Sequence, residues 1–319
     1  MNVILAFGYH NQQAPRHWNL KAMLEREGWE VRECHTSKKG VLRKYVDLWR
    51  KFRRMKKDAR SVLVTFPGHY LVPLAWLLTR FPRKTLIFDA FISAYDTLVL
   101  DRKKFAKWNP AAWAAYAIDF LSCHLADEVL IDTEEHRKYF IRKFRLNPKS
   151  IYVVYLGTRE DLFTPAKHRA KNPKFEILFY GTYIPLQGIE HIIEAAKILA
   201  DHPDIHFTLI GTGQTHANMR ALAHKYALTN ITFRDRVAFE SLPDLIRASD
   251  LCLGIFGTSD KAKRVIPHKV YDAVACSVPV LTADTPAIHE KFTDGKEVIL
   301  CRAGDPEDMA KKILRLQKN

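Results

Sequence analysis

The chain has 319 residues, which is longer than a typical single domain, and 47% of its residues are apolar. This length predicts two domains of roughly 150 residues each, and the apolar fraction excludes a disordered chain. Five scattered cysteines without a C-x-x-C pair indicate neither a disulfide framework nor a cysteine zinc site. The opening MNVILAFGYH lacks the basic region and cleavage site of a signal peptide, and the apolar runs are too short to span a bilayer. We therefore expect a globular protein of the cytoplasm.

The net charge of +15 is unevenly distributed, and one basic segment begins at Lys38 and ends at Lys57. Its apolar residues recur at helical spacing, which predicts an amphipathic helix with a face rich in Lys and Arg. Such a helix can lie on an anionic membrane surface and gain on the order of 1 kcal/mol per basic residue near the lipid headgroups. An ordinary helix with solvated charges is an equal alternative. Nucleic-acid binding is the weaker interpretation, because no recognisable nucleic-acid module accompanies the charge.

Short apolar strands alternate with helical segments along the whole chain. Strands are predicted at 3–7, 30–34, 61–66, 85–88, 128–131, 151–154, 176–180, 206–210, 231–234, 251–254, 278–282 and 298–300. Helices are predicted at 17–27, 38–57, 70–79, 110–124, 134–144, 188–200, 215–226, 242–248, around 269, and 306–316. This alternation predicts an α/β protein with parallel sheets covered on both faces, whose ligands bind at the carboxyl ends of the strands. The charged, proline-containing segment 157–174 is predicted to be the linker between the domains.

A nucleotide-binding pattern lies in the second half of the chain, in the segment KRVIPHKVYDAVACSVPVLTAD that begins at Lys263. A basic cluster precedes an amphipathic helical turn that carries Asp272, and a short apolar strand follows. A helix that starts after a basic loop can hold a diphosphate with its free N–H groups and nearby cations. A carboxylate one or two turns further along can accept ribose hydroxyls. The segment therefore predicts a site for a nucleotide diphosphate.

Five segments follow one another in the order and spacing of a known family: DLFTP, LFYGTYIPLQGIEHIIEAAKIL, LIGTGQ, RASDLCLG and PHKVYDAVACSVPVL. They resemble the donor half of the family-4 retaining glycosyltransferases from about residue 156 to the C-terminus, and the likeness is looser over the first half. The resemblance implies the GT-B fold, which has two facing Rossmann-like domains. We expect an acceptor-binding domain over 1–165 and a donor-binding domain over 166–319, whose last helix could pack back on the first domain. The implied reaction moves a sugar from a nucleotide-diphosphate sugar to a lipid-linked or membrane-associated glycan, with no cofactor.

The same resemblance assigns donor-binding roles to the first loops of the second domain. Gly181 lies on the turn where the backbone approaches the ligand, and Gly211 and Gly213 form a loop beside the phosphate or the base. The family usually has an arginine directly after the first of these glycines and a lysine shortly before the following one. This chain has Thr182 and Gln187 at those two positions, so that pair of phosphate-neutralising cations is missing.

The family also usually has two glutamates eight positions apart, the first on the donor sugar and the second on the ribose. Here the second is Asp272 and the first is replaced by Arg264. Cations reappear near the same phosphate position as Lys261, Lys263, Arg264 and Lys269. We expect Arg264 and Lys269 to be catalytic, because the leaving nucleoside diphosphate develops negative charge. A solvated surface loop is the alternative for the stretch from Lys261 to Arg264.

The first half is expected to bind the acceptor. Gly8, followed by Tyr9 and His10, lies where glycines on the acceptor side occur in the family. Asp89 follows the fourth predicted strand, where a polar residue commonly contacts the transferring sugar, and it could take a proton from the acceptor nucleophile. The alternatives for Asp89 are a helix N-cap and an ion pair with Arg102.

The sequence contains neither an Asp-x-Asp motif nor an H-E-x-x-H pattern. It thus predicts no metal site. The predicted transfer is metal-independent, with protein cations acting as the Lewis acid. We expect this reaction to take place at the cytoplasmic face of a membrane. Two alternatives stay open. A nucleotide-sugar epimerase of the same fold would form no new glycoside. A basic nucleic-acid or membrane-surface binding protein without catalysis would show steep salt-dependent binding and no turnover of nucleotide sugars.

Overall fold

The computed structural model describes residues 2–166 and 172–318. The chain divides into two compact units, Met1–Leu156 and Gly157–Asn319, so the division comes shortly before the predicted boundary at 165/166. The first part of the predicted linker already packs within the second unit. There Thr158 donates a hydrogen bond to Asp272, and Phe163 is buried. Residues 167–171 of that predicted linker lie outside the described residues.

The first unit is built on a six-stranded parallel sheet with the strand order β2-β1-β3-β4-β5-β6. Its strands are β1 (Asn2–Gly8), β2 (Trp29–His35), β3 (Ala59–Val64), β4 (Thr85–Phe91), β5 (Glu128–Ile131) and β6 (Ile151–Val153). Its α-helices are α1 (Pro15–Arg26), α2 (Val41–Met55), α3 (Val72–Leu78), α4 (Pro110–Leu125) and α5 (Glu134–Phe144). The inner strands β1 and β3 are mostly buried apolar runs, as expected for parallel strands covered on both faces. The edge strand β2 is only partly buried and contains charged residues.

The second unit repeats this design with the strand order β12-β11-β10-β7-β8-β9. Its strands are β7 (Phe175–Tyr180), β8 (Ile205–Ile210), β9 (Ile231–Arg234), β10 (Leu251–Leu253), β11 (Val280–Ala283) and β12 (Ile299–Cys301). Its helices are α6 (Ile189–Ile198), α7 (His216–Lys225), α8 (Leu242–Arg247), α9 (His268–Ala275) and α10 (Pro306–Gln317). The last of these, α10, packs on α6 and β12. The α/β class and the parallel sheets predicted from the sequence are confirmed.

Local sequence signals explain where several helices begin. Helix α5 is capped by Thr133, whose side chain accepts from the N–H of His136, so the polar stretch after β5 is a capping turn. Helix α10 has the same kind of cap, since Asp305 accepts from the N–H of Asp308. A proline in the first turn, where no N–H partner is needed, starts α1, α4 and α10.

Two features of the first unit differ from the sequence prediction. Strand β4 continues to Phe91, so Asp89 lies inside the strand and is not the N-cap of a helix. A π-helical turn over Asp96–Asp101, which was not predicted, follows β4. In the described part of the chain, no helix is both long enough and apolar enough to cross a membrane.

Candidate functional site

Glycine-containing loops meet at the carboxyl ends of β7 and β8. A Cβ atom at Gly211 would lie 2.0 Å from the carbonyl oxygen of Gly181, and one at Gly213 would lie 2.5 Å from the carbonyl oxygen of Tyr183. The loops are also joined by backbone hydrogen bonds, such as the 3.0 Å bond from the N–H of Tyr183 to the oxygen of Thr212. Side chains at these glycines would force the two loops apart. The contact between the two loops therefore requires glycine at 211 and 213, and the predicted approach of this backbone to a ligand stays a prediction.

The side chain of Lys269, on the first turn of α9, reaches the loop after β7. It is 5% exposed, and its Nζ donates to Oε1 of Gln187 at 2.6 Å. The same ammonium lies 3.8 Å from the ring centroid of Phe179. A Cβ at Gly181 would come within 3.1 Å of Nζ. Three residues predicted separately from the sequence, Gly181, Gln187 and Lys269, thus form one cluster.

Both described partners of the Lys269 side chain are uncharged: an amide oxygen and an aromatic ring. Burial lowers the pKa of Lys269 well below its ordinary value. A buried amine of this kind becomes more basic when an anion arrives beside it, because the opposite charge stabilises the ammonium form. The cluster is therefore suited to a negatively charged ligand at the carboxyl edge of the sheet.

Asp272 lies one turn further along α9 and is 2% exposed. Its two oxygens accept hydrogen bonds from the hydroxyls of Thr158, at 2.5 Å, and Tyr180, at 2.9 Å. Burial raises the pKa of Asp272 to about 6, although both hydrogen bonds oppose the shift. The carboxylate thus joins the end of β7 to α9. The ribose contact expected for Asp272 stays a prediction.

The other basic residues of the predicted phosphate cluster precede α9. Lys261 is buried, Arg264 is partly exposed in the short turn Ala262–Arg264, and Lys263 is exposed with its Nζ 3.4 Å from Asp260. Sequence reasoning missed one further cation. The guanidinium of Arg236, from the segment after β9, lies 3.5 Å from the hydroxyl of Thr182. The sequence gives no sign of this cation, because the two loops that bring Arg236 and Thr182 together are distant in sequence.

In the first unit, Asp89 is buried in an ion pair with Arg16. Nη2 of Arg16 lies 2.7 Å from Oδ1 of Asp89, and Nε lies 3.0 and 3.3 Å from the two oxygens. Both residues are at least 95% buried. From the sequence, Arg102 was a possible partner of Asp89. Arg16 lies on a different element, and no local sequence pattern relates it to Asp89. The catalytic role of Asp89 stays a prediction, and the observed role is to hold Arg16.

The residues at the end of β1 that are expected on the acceptor side are also tightly packed. A Cβ at Gly8 would lie 2.5 Å from Oγ1 of Thr65. The hydroxyl of Tyr9 donates to the carbonyl oxygen of Pro67, and the ammonium of Lys44 lies 3.4 Å from the Tyr9 ring centroid. Burial raises the pKa of Tyr9 to about 12. His10 is buried, and desolvation lowers its pKa.

Comparison with known proteins identifies the second unit. A family model described as "Glycosyl transferases group 1" matches residues 174–319. The chain is 24% identical over 285 residues to an uncharacterised glycosyltransferase of Methanocaldococcus jannaschii, covering 86% of this chain and 70% of that one. It spans only 45 to 58% of the length of other curated glycosyltransferases that it matches. Residues 174–319 belong to the group 1 glycosyl transferases.

Solved structures extend the likeness to the fold of the whole chain. A sucrose-phosphate synthase from Thermosynechococcus elongatus superposes with a TM-score of 0.72 at 15% identity, covering 100% of this chain and 90% of that one. The Anabaena protein HepE, solved with UDP-glucose, superposes with a TM-score of 0.67 at 16% identity, covering 99% and 89%. These superpositions show that the chain has the GT-B fold, and the family match and the relatives show that it is a glycosyltransferase. Its second unit is the Rossmann-like domain that contains Lys269 and Asp272.

Proposed function

We propose that this glycosyltransferase transfers a sugar from a nucleotide-diphosphate sugar to a lipid-linked or membrane-associated glycan, with retention of the anomeric configuration. The observation that carries the proposal is the buried Lys269 ammonium beside Gly181 and Gln187, at the carboxyl ends of parallel strands. Ligands of such sheets bind at that edge. A buried cation whose described partners are neutral is matched to an anionic ligand.

The chemistry requires positive charge at this edge. When the bond between the sugar and the diphosphate breaks, the leaving group gains negative charge, and fixed cations lower the barrier by stabilising it. Lys269 is held in place by Gln187, while Arg264 and Lys261 lie in the turn before α9. Arg236 lies beside Thr182, where the family usually has its own arginine. These side chains would replace the missing pair of cations, so the proposed transfer needs no metal at the donor phosphates.

The nature of the donor is supported by the structural neighbours. HepE was solved with UDP and with UDP-glucose, and it shares the fold of this chain. UDP-sugars are therefore the first donors to test. Retention of configuration rests on the resemblance of the donor half to retaining enzymes.

The acceptor proposal rests on helix α2 of the first unit. Its inner face packs in the core through Leu48 and Phe52, which are at most 1% exposed. Its outer face exposes Leu42 (81%) and Trp49 (41%) among arginines, so it is both apolar and basic. A solvated domain helix has no need of exposed leucine and tryptophan side chains. This face favours contact with an anionic membrane, where a lipid-linked acceptor would be found.

The test is to incubate the full chain with a panel of nucleotide sugars and a membrane extract, and to follow nucleotide release. Donors that turn over are then used with purified lipid-linked acceptors, and the anomeric configuration of the product is read by NMR. We expect a new glycoside with the configuration of the donor. An inverted product would overturn the retaining mechanism, an isomerised donor without glycoside would indicate an epimerase, and no turnover of any donor would contradict the proposal.

A further inference from the structure

Two imidazoles and a carboxylate converge in the first unit. His10 follows β1, His17 lies in the first turn of α1, and Glu33 lies on β2. One ligand atom from each lies within 4.8 Å of the other two. From this convergence we propose that the first unit binds a divalent transition-metal ion, with Zn²⁺ as the fitting ion, through these three side chains.

The contacts in the cluster already have the form of a coordination set. Oε2 of Glu33 lies 3.0 Å from Nε2 of His10, and Oε1 lies 2.8 Å from Nε2 of His17. Tetrahedral zinc with bonds of about 2.0–2.2 Å separates its ligand atoms by roughly 3.3–3.6 Å. Binding an ion thus requires the two contacts between the carboxylate and the imidazoles to lengthen by about half an ångström. The ligand atoms of the two imidazoles, which lie within 4.8 Å of each other, must reach the same spacing. The two imidazole rings are stacked with their centroids 4.0 Å apart, which directs both Nε2 atoms toward Glu33.

The hydrogen bonds around His10 orient it as a metal ligand. Its Nδ1 contacts Oγ1 of Thr65, and that hydroxyl can donate to the carbonyl oxygen of Phe7 at 3.4 Å. When it does, Nδ1 of His10 carries the ring proton and donates to Thr65. The lone pair of Nε2 then faces a carboxylate oxygen of Glu33 at 3.0 Å, and either a proton or a metal ion must lie between these two atoms. A metal-bound histidine normally donates its other ring N–H to an oxygen in this way.

His17 is the second imidazole of the cluster and is 94% buried. Its Nε2 faces Glu33 and is the atom that would bind the ion, so its Nδ1 would carry the ring proton. This Nδ1 has no hydrogen-bond partner among the described residues.

The donor set narrows the choice of ion. Two imidazole nitrogens and one carboxylate suit Zn²⁺ and related first-row ions, while Mg²⁺ and Ca²⁺ prefer all-oxygen sets. Three protein ligands leave a fourth position for water or for an oxygen atom of a ligand. Glu33, the most exposed of the three with 23% of its side chain accessible, provides the route of entry. The ion would tie the ends of β1 and β2 to α1.

The test uses the full chain after removal of metals with a chelator. Zn²⁺ is titrated in competition with a chromophoric zinc chelator, and we expect one tightly bound ion per chain that excess Mg²⁺ does not displace. His17→Ala and Glu33→Gln should each weaken binding by about a hundredfold or more, since losing even an outer-sphere partner costs roughly 10- to 100-fold. His191→Ala is the matched control: this histidine lies 3.4 Å from Glu194 and 3.9 Å from Glu190 in the second unit, and its loss should change nothing.

Co²⁺ gives a second measurement that needs no variant. Cobalt in a four-coordinate site with nitrogen ligands absorbs visible light strongly, so the metal-free wild type should gain a visible band that one equivalent of Zn²⁺ abolishes. If circular dichroism shows that the variants do not fold, the cobalt spectrum of the wild type tests the proposed metal site without them. Failure of the wild type to bind Zn²⁺ or to give the cobalt band would overturn the proposal. Equal affinity in folded His17→Ala and wild type would overturn it as well.

Discussion

At the scale of single residues, the donor domain buries one base and one acid on the same short helix, and their environments differ. Lys269 contacts an amide and a ring, and burial lowers its pKa. Asp272 accepts from two hydroxyls, and burial raises its pKa to about 6. Each is therefore less readily charged than an exposed side chain of the same type. A ligand of opposite charge would make Lys269 easier to protonate, which couples its ionisation to donor binding.

Replacing Lys269 by methionine tests its role in catalysis. Methionine fills a similar apolar volume without a charge, so the fold should be retained while the leaving group loses a stabilising cation. We expect turnover of the donor to fall by about a hundredfold or more, as is typical for the loss of one transition-state charge contact. Steady-state kinetics at saturating donor measures the effect. Lys296→Met removes an exposed lysine of the same unit that has no assigned role and should stay within a few fold of wild type, whereas equal rates for the two variants would contradict the assignment.

The raised pKa of Asp272 predicts a pH-dependent stability. The carboxyl titrates near 3.8 in the unfolded chain and near 6 in the fold, so it favours folding fully below pH 3.8. This contribution is lost as the pH rises through 6. Asp272→Asn stays neutral throughout and should gain stability relative to wild type between pH 5 and 7.5, by up to about 3 kcal/mol. Thermal melts of both proteins over this range measure the difference.

Asp260→Asn is the control for this experiment, because that carboxylate is exposed. Its melting curve should follow wild type at every pH. Parallel pH dependence of Asp272→Asn and wild type would mean that the carboxyl titrates normally in the fold.

At the scale of secondary structure elements, helix α2 shows that an amphipathic sequence pattern does not determine which of its apolar side chains are buried. Periodicity predicts an amphipathic helix, and the structure places Leu48 and Phe52 on its buried face. Leu42 and Trp49 belong to the same apolar pattern but lie on the exposed side, where the guanidinium of Arg53 is 5.0 Å from the Trp49 ring. The helix thus has more apolar surface than the core can cover.

Charge reversal on α2 tests whether this surface binds membranes. Wild type should sediment with anionic vesicles at low salt and be partly released at high salt, because screening weakens the attraction of charges but not apolar insertion. Changing Arg50, Arg53 and Arg54 together to glutamate should abolish sedimentation. Donor hydrolysis should be unchanged, since the donor site belongs to the other domain.

A matched control has the same change of charge on α10 and just beyond it: Lys311, Arg315 and Lys318 to glutamate. Two of these residues lie on the last helix and all three are exposed. If only net charge matters, both triple variants will lose vesicle binding equally. If α2 is the docking element, the α10 variant will sediment nearly as wild type does. Failure of the wild type to sediment would leave the solvated-helix interpretation.

At the scale of the whole molecule, two Rossmann-like units share one design, and each has its own hydrophobic core. The core of the first unit is centred on residues such as Phe7 and Phe88, and that of the second on Phe179 and Phe207. Parallel sheets place loops from successive strands at one edge, where ligands bind. A ligand of either unit should therefore stabilise the folded chain by mass action.

Nucleotide binding should be visible in thermal unfolding. At a UDP concentration of 100 times Kd, the folded state gains about 2.7 kcal/mol, which should raise the Tm by several degrees. Scanning fluorimetry of wild type with increasing UDP measures the shift. Lys269→Met should greatly reduce the shift and Lys296→Met should keep it. No shift in wild type at millimolar UDP would mean that the donor carries another base.

The sequence by itself determined the alternation of strands and helices, because that pattern depends on local periodicity and turn residues. Elements such as β5, α5 and β9 were predicted with their observed bounds. The likeness of the donor half to a family also predicted which residues would lie near the ligand. Gly181 and Lys269 are 88 positions apart in the sequence, yet the motif around each of them predicted a donor-binding role. Order and spacing in these motifs are local properties that a sequence displays directly.

Only the tertiary structure decided which side chains meet. The pairing of Arg16 with Asp89, the contact of Arg236 with Thr182, and the cluster of His10, His17 and Glu33 all join separate elements. No spacing rule relates such residues, because parallel strands bring distant segments to one edge through crossovers of variable length. Burial is likewise a property of the assembled core. A lysine in a basic stretch of sequence is expected to be solvated. The side chain of Lys269 is buried because it packs beneath the loop after β7.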